Sequence, residues 1–208
     1  MPSNDRTWDL NPQTTLPRLL AANARQMPRG VAMREKDRGI WQETDWQTAH
    51  DKALRCAAGL QTLGVQPGAA VLVLGDNRPH LYLGMLATGM LGAYPTPVYP
   101  DATPEEIMHV IDNVQVHYVL AEDQEQVDKA LDLRERGARL DHIVYDNPRG
   151  LSRYGAPGLV SWDALQQIGE RRLAEDTGLA QRLLETATPE GPAVLIHSSG
   201  TTGKPKGV

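Results

Sequence analysis

Cysteine is almost absent from this chain: Cys56 is the only one in 208 residues. One thiol cannot close an intrachain disulfide, so a reducing compartment suits the sequence. A basic excess is also absent. Lys and Arg number 21 against 26 Asp and Glu, a net charge of −5, and no basic run exceeds a pair. That balance argues against a nucleic-acid partner, which needs a positive face. The first nine residues are polar and lack the apolar core of a signal peptide. The longest uncharged stretch, residues 81–100, is broken by Gly84, Gly89, Gly92, Pro95 and Pro97. It reads as a buried helix running into a strand rather than a membrane span. The expectation is a soluble cytoplasmic protein, with peripheral contact at the inner face of a membrane left open.

Several chemical signatures are missing as well. The histidines at 50, 80, 109, 117, 142 and 197 show no HxH or HExxH spacing, so no metal site built by the protein is indicated. No G-x-S-x-G elbow or G-x-G-x-x-G fingerprint occurs, which removes the simplest hydrolase and dinucleotide readings. There is no internal repeat and no low-complexity tract.

What is present is an alternation of strands and helices. Thr14 or Thr15 is placed to cap a first helix, with Pro17 in its first turn and Leu16, Leu19 and Leu20 on one face. Residues 31–35 and 40–43 read as a hairpin turning at 37–39. A second helix is expected from Thr44, with Gln47 completing a capping box and an alanine-rich stripe that includes Cys56. Residues 69–74 form a continuous apolar run, the pattern of a strand buried on both faces of a parallel sheet. Helix 81–91 and strand 93–98 follow. Thr103-Pro104-Glu105-Glu106 carries a cap hydroxyl, a proline at the first helical position and a glutamate three residues on, a strong helix start. Strand 116–121, helix 125–136 and strand 142–145 complete an α/β pattern of mostly parallel strands flanked by helices. Residues 161–168 and 170–187 read as polar helices on a surface excursion. Residues 193–196 read as a last short strand.

Three groups of residues admit plain structural roles. Gly75-Asp76-Asn77-Arg78-Pro79 ends a buried strand, where α/β sheets bind ligands, yet Asp76 or Asn77 capping the next helix is the favoured reading. Trp41, Trp46 and Trp162 read as packing. Asp123, Glu125, Asp128 and Lys129 read as a solvated helix face.

The chemistry concentrates at residues 198–207: Ser198, Ser199, Gly200, Thr201, Thr202, Gly203, Lys204, Pro205, Lys206 and Gly207. Glycines let a backbone approach an anion and turn its N–H groups inward. The hydroxyls donate further hydrogen bonds, and the lysines add positive charge. A polyphosphate asks for this combination. The stretch is not a Walker A loop, because Gly203-Lys204 is followed by Pro205 and Ser198 stands where the first glycine belongs. A polar loop between two strands is the plainer alternative. Four hydroxyls threaded between glycines and followed by Lys-Pro-Lys exceed what a turn needs.

The stretch SSGTTGKPKG resembles the signature loop of the adenylate-forming, or AMP-binding, superfamily. Gly75-Asp76-Asn77-Arg78-Pro79, Pro97-Val98-Tyr99-Pro100-Asp101, residues 121–129 and residues 145–150 resemble its bacterial long-chain acyl-CoA synthetases. The resemblance implies that residues 1–208 are an N-terminal part, about a third, of such an enzyme, within its large adenylation domain. It implies ATP, Mg²⁺ carried by ATP, coenzyme A and a fatty acid as reactants. On matching positions Ser198, Ser199, Thr201 and Thr202 would donate to phosphate oxygens. Gly200, Gly203 and Gly207 would allow close approach, and Lys206 would add charge. The family's Mg²⁺-binding glutamate, ribose-binding aspartate and C-terminal catalytic lysine fall beyond the equivalent of Val208. No catalytic residue is therefore expected within 1–208, and the chain alone is expected to be inactive. His197 departs from the tyrosine or threonine more usual before the serines, and reads as a neighbour of the site rather than a base. A non-catalytic nucleotide- or partner-binding fragment, and a ligase for another carboxylic acid, stand as alternatives.

Overall fold

The computed structural model describes residues 13–198 and 206–207. In chain order these form α1 (Leu16–Gln26), the hairpin β1 (Val31–Asp37) and β2 (Ile40–Asp45), then α2 (Trp46–Thr62) and β3 (Ala70–Leu74). Next come α3 (Pro79–Met90), β4 (Tyr94–Val98), α4 (Pro104–Val114), β5 (Tyr118–Ala121), α5 (Gln124–Glu135) and β6 (His142–Tyr145). The order closes with β7 (Leu159–Ser161), α6 (Trp162–Glu175), α7 (Leu179–Thr186), β8 (His197–Ser198) and β9 (Lys206–Gly207). β3 to β7 make one parallel sheet in the order β4-β3-β5-β6-β7.

The apolar run of β3 is buried at every position because both faces are covered. Val71 and Val73 turn to one side, against α2, α3 and α6. Ala70, Leu72 and Leu74 turn to the other, against α4 and α5. The period-two alternation of a strand thus feeds two cores. α3 carries the chain from β3 out to β4 on one face, and α4 returns it to β5 on the opposite face. The sheet is doubly wound, and its switch point falls at β3.

The helix starts follow local chemistry. Thr103 and Glu106 form the expected capping box on α4. Asp123 accepts from Gln126 N to cap α5, and Ser161 accepts from Ala164 N to cap α6. The β1–β2 turn uses Arg38 and Gly39, both with positive φ, as a two-residue hairpin of this twist requires. Cys56 is fully buried, and burial pushes its thiol well up, so it stays a neutral core residue. No helix among the described residues is long and apolar enough to cross a membrane.

Several expectations are corrected. α2 is capped by Asp45, whose Oδ1 accepts from Thr48 N at 2.7 Å, and not by Thr44. Gln47 bonds Asp51 instead of closing a capping box. Thr15 occupies the N-cap of α1, but its side chain makes no capping bond. Trp41 is 62% exposed and packs little. Lys129 reaches back to the Pro100 carbonyl and does more than decorate a solvated face. Residues 161–187 are no surface excursion. Leu159–Ser161 extends the sheet, and α6 lies flat on α2 with Trp162 and Leu165 buried. Glycines allow that approach: a Cβ on Gly169 would stand 1.8 Å from the Arg55 carbonyl oxygen. Residues 193–196 form no strand. They pass β4 with one main-chain bond, Leu195 N to Pro95 O at 3.0 Å. The N–H of Tyr94 points inward to Ala69, so Pro95 and Pro97 face outward and leave that edge without donors.

Candidate active-site cleft

Parallel strands place their carboxyl ends together, and the chain leaves β3 and β4 there in opposite directions. Gly75 follows β3 with φ 145°, and a Cβ on it would stand 2.5 Å from Glu122 Cβ. Glycine is therefore required by both conformation and space. Glu122, just past β5, then holds the next residues. It accepts from Asp76 N at 2.7 Å and from Arg78 Nε at 2.6 Å, while Arg78 also reaches Glu35 at 3.2 Å. Asn77 accepts from the Tyr82 hydroxyl at 2.9 Å. Neither Asp76 nor Asn77 caps α3; Arg78 stands at the N-cap without a side-chain capping bond, ahead of Pro79. The capping expectation is thereby replaced by a loop folded onto Glu122.

The opposite wall is Pro97–Ala102. Lys129 from α5 grips the Pro100 carbonyl, and the Thr103–Glu106 box fixes the start of α4 behind it. Between the walls lies a cleft of about 570 Å³, lined also by Val110, Ile196 and His197. Its described lining carries Asp76, Asp101 and Glu106 but neither lysine nor arginine. Positive charge for an anionic ligand must therefore come from outside that lining, and Lys204 and Lys206 lie next in sequence.

β8 brings the chain to the mouth of this cleft. His197 pairs with Gly207 and Ser198 with Lys206, antiparallel, so the two ends of the glycine- and hydroxyl-rich stretch are held side by side. Of the sequence-predicted site residues, the backbones of Ser198, Lys206 and Gly207 are thus brought together. Ser199, Gly200, Thr201, Thr202, Gly203, Lys204 and Pro205 lie outside the described residues. His197 Nδ1 stands 3.3 Å from the hydroxyl of Thr96, which is fully buried in β4. Partial burial, with a further contribution from His109, holds the His197 imidazole below the usual histidine value. Sequence reasoning missed Thr96 and Glu122. Nothing marks Thr96 except its place between two prolines, and Glu122 stands in a polar run that resembles a solvated surface.

No group of three or more His, Cys, Asp or Glu among the described residues is arranged to hold a metal ion.

Comparison with known proteins follows the same lines. A family model described as AMP-binding enzyme matches residues 20–208. A long-chain-fatty-acid–CoA ligase of Xenopus laevis is 25% identical over 198 residues, covering 95% of this chain and 26% of the relative. A 4-coumarate–CoA ligase of Arabidopsis thaliana is 32% identical over 154 residues, covering 74% of this chain and 25% of the relative. The chain thus spans about a quarter of the length of these curated relatives. Among solved structures, an acetoacetyl-CoA synthetase from Streptomyces lividans superposes with a TM-score of 0.73 at 22% identity, over 92% of this chain and 29% of that one. This last likeness concerns the fold.

Proposed function

Because the chain belongs to the AMP-binding enzyme family, we propose that it is the phosphate-gripping part of an ATP-dependent ligase that activates a fatty acid for transfer to coenzyme A. The observation that carries this reading is the pairing of His197–Ser198 with Lys206–Gly207 at the mouth of the cleft. That pairing brings together the ends of a stretch built from hydroxyls, glycines and lysines.

The proposed reaction has two steps. A substrate carboxylate oxygen attacks the α-phosphorus of Mg·ATP; the bond to the β-phosphate oxygen breaks, and pyrophosphate leaves with its electron pair. The coenzyme A thiolate then attacks the acyl carbon of the adenylate, and AMP leaves. In the first step negative charge grows on the departing pyrophosphate. Donors fixed around the β- and γ-phosphates lower that barrier without reorganising. Ser198, Ser199, Thr201 and Thr202 are proposed as hydroxyl donors, with Gly200, Gly203 and Gly207 allowing close approach. Lys204 and Lys206 are proposed to supply the positive charge that the described lining of the cleft lacks.

The acid is proposed to be a long-chain fatty acid, on the likeness to long-chain-fatty-acid–CoA ligases. An aryl acid is the second reading, because the 4-coumarate–CoA ligase is the more identical of the two relatives described. A panel of acids, assayed with the gene product extended past Val208, separates them. Preference for palmitate over coumarate and acetate supports the first reading, and preference for coumarate replaces it with the second. The 208-residue chain alone is expected to form no acyl-CoA, and clear turnover by it would refute that expectation.

A further inference from the structure

We propose that His197 is a positioning residue whose imidazole clasps the β8–β9 hairpin to the free edge of the sheet through Thr96, and so holds the paired ends of the 198–207 stretch beside the cleft. The inference rests on the phosphate-loop reading of residues 198–207.

The need for a clasp follows from the edge. The outer side of β4 presents Pro95 and Pro97, which have no N–H, so a strand laid along it cannot build a full ladder. Among the described residues only Leu195 N to Pro95 O crosses by main chain. The hairpin itself consists of two residue pairs. A hairpin that short has little stability of its own. Its position must be fixed by something else.

His197 Nδ1 and Thr96 Oγ1 supply the second tie, 3.3 Å apart. Thr96 is fully buried, and a buried hydroxyl without a partner is costly, so the bond favours the docked hairpin. Gly207 faces His197 in the pairing, and a Cβ there would meet His197 Nε2 at 3.7 Å and Leu195 Cδ1 at 3.4 Å, both ordinary contact distances. The imidazole thus lies between β4 and β9, within contact of each. Imidazole places Nδ1 on the second atom from Cβ, the position that an asparagine amide atom also occupies. A tyrosine or threonine here offers no nitrogen at that place.

The test uses the gene product extended past Val208, with amide hydrogen exchange at Leu195 and Gly207 and calorimetric titration with Mg·ATP. His197→Ala should speed exchange at both amides and weaken Mg·ATP binding, each by roughly tenfold if one hydrogen bond is lost. His197→Asn should restore both. Thr96→Val should reproduce His197→Ala, and the double variant should be no worse than either single one. Unchanged exchange and affinity in His197→Ala would overturn the proposal, as would an Asn variant as impaired as the Ala variant. A wild-type chain that binds no Mg·ATP overturns the phosphate-loop reading and the positioning role with it; the exchange data then report the clasp separately.

Discussion

Arg78 Nε and Glu122 Oε1 lie 2.6 Å apart across the carboxyl ends of β3 and β5, joining loops that are 44 residues apart in sequence. They sit at the switch point of the sheet, where a doubly wound fold usually opens a ligand crevice. Here the pair bridges the two strand ends, with Gly75 pressed against Glu122. The open cleft is displaced one strand outward, to the β3–β4 side, where β8 arrives. Glu122→Ala should therefore destabilise the chain by roughly 1–3 kcal/mol, since Arg78 and the Asp76 N–H both lose their acceptor. Glu122→Gln should cost less, because it keeps one acceptor oxygen. Thermal unfolding checks this, and an unchanged midpoint for Glu122→Ala would deny the loop-holding role.

The α2–α6 contact makes a second prediction. Gly59 and Gly169 let the two helices touch by backbone: a Cβ at Gly59 would stand 2.6 Å from the Leu165 carbonyl oxygen. Gly169→Ala should force the helices apart and lower stability by about 1–3 kcal/mol, the cost of overpacking. Gly155→Ala, where no atom lies within 4 Å, should change stability little. Equal denaturation midpoints for the two variants would contradict the close crossing.

Protonation of His197 gives a third. Partial burial and then His109 lower its pKa from 6.5, so the unfolded chain binds this proton more readily than the folded one. The group's contribution to stability is therefore complete above pH 6.5 and is lost as pH falls through the lower folded value. Besides His109, the carboxylates of Asp76, Asp101 and Glu106 line the same cleft. Their own titration is common to wild type and variant. Protection of the Leu195 amide, corrected for intrinsic exchange, should decline more on acidification in wild type than in His197→Asn. Parallel pH profiles would exclude a titrating His197.

Much of this architecture is legible in the sequence, for reasons that differ by element. The AAVLVL run announces β3 because a strand buried on both faces has no polar face to show. Thr103-Pro104-Glu105-Glu106 announces α4 because its capping groups are local in sequence. What escapes depends on long-range packing. α6 is rich in charge and reads in sequence as a surface helix, yet Trp162, Leu165 and Gly169 recur at near-helical spacing and press it onto α2. Residues 193–196 have strand composition, but β4 offers them proline instead of donors. The site shows the same division. The loop is visible as a dense local motif, whereas Thr96 and Glu122 act through partners 101 and 44 to 46 residues away.

The central claim is that residues 198–207 grip the triphosphate of ATP. The most direct measurement is calorimetric titration of the gene product extended past Val208 with Mg·ATP, alongside its Lys204→Ala/Lys206→Ala double variant. The account predicts saturable binding by wild type, weakened at least about tenfold in the variant, as expected when charge-assisted contacts to phosphate are removed. Equal affinity in the two proteins, or no binding by wild type, would contradict it.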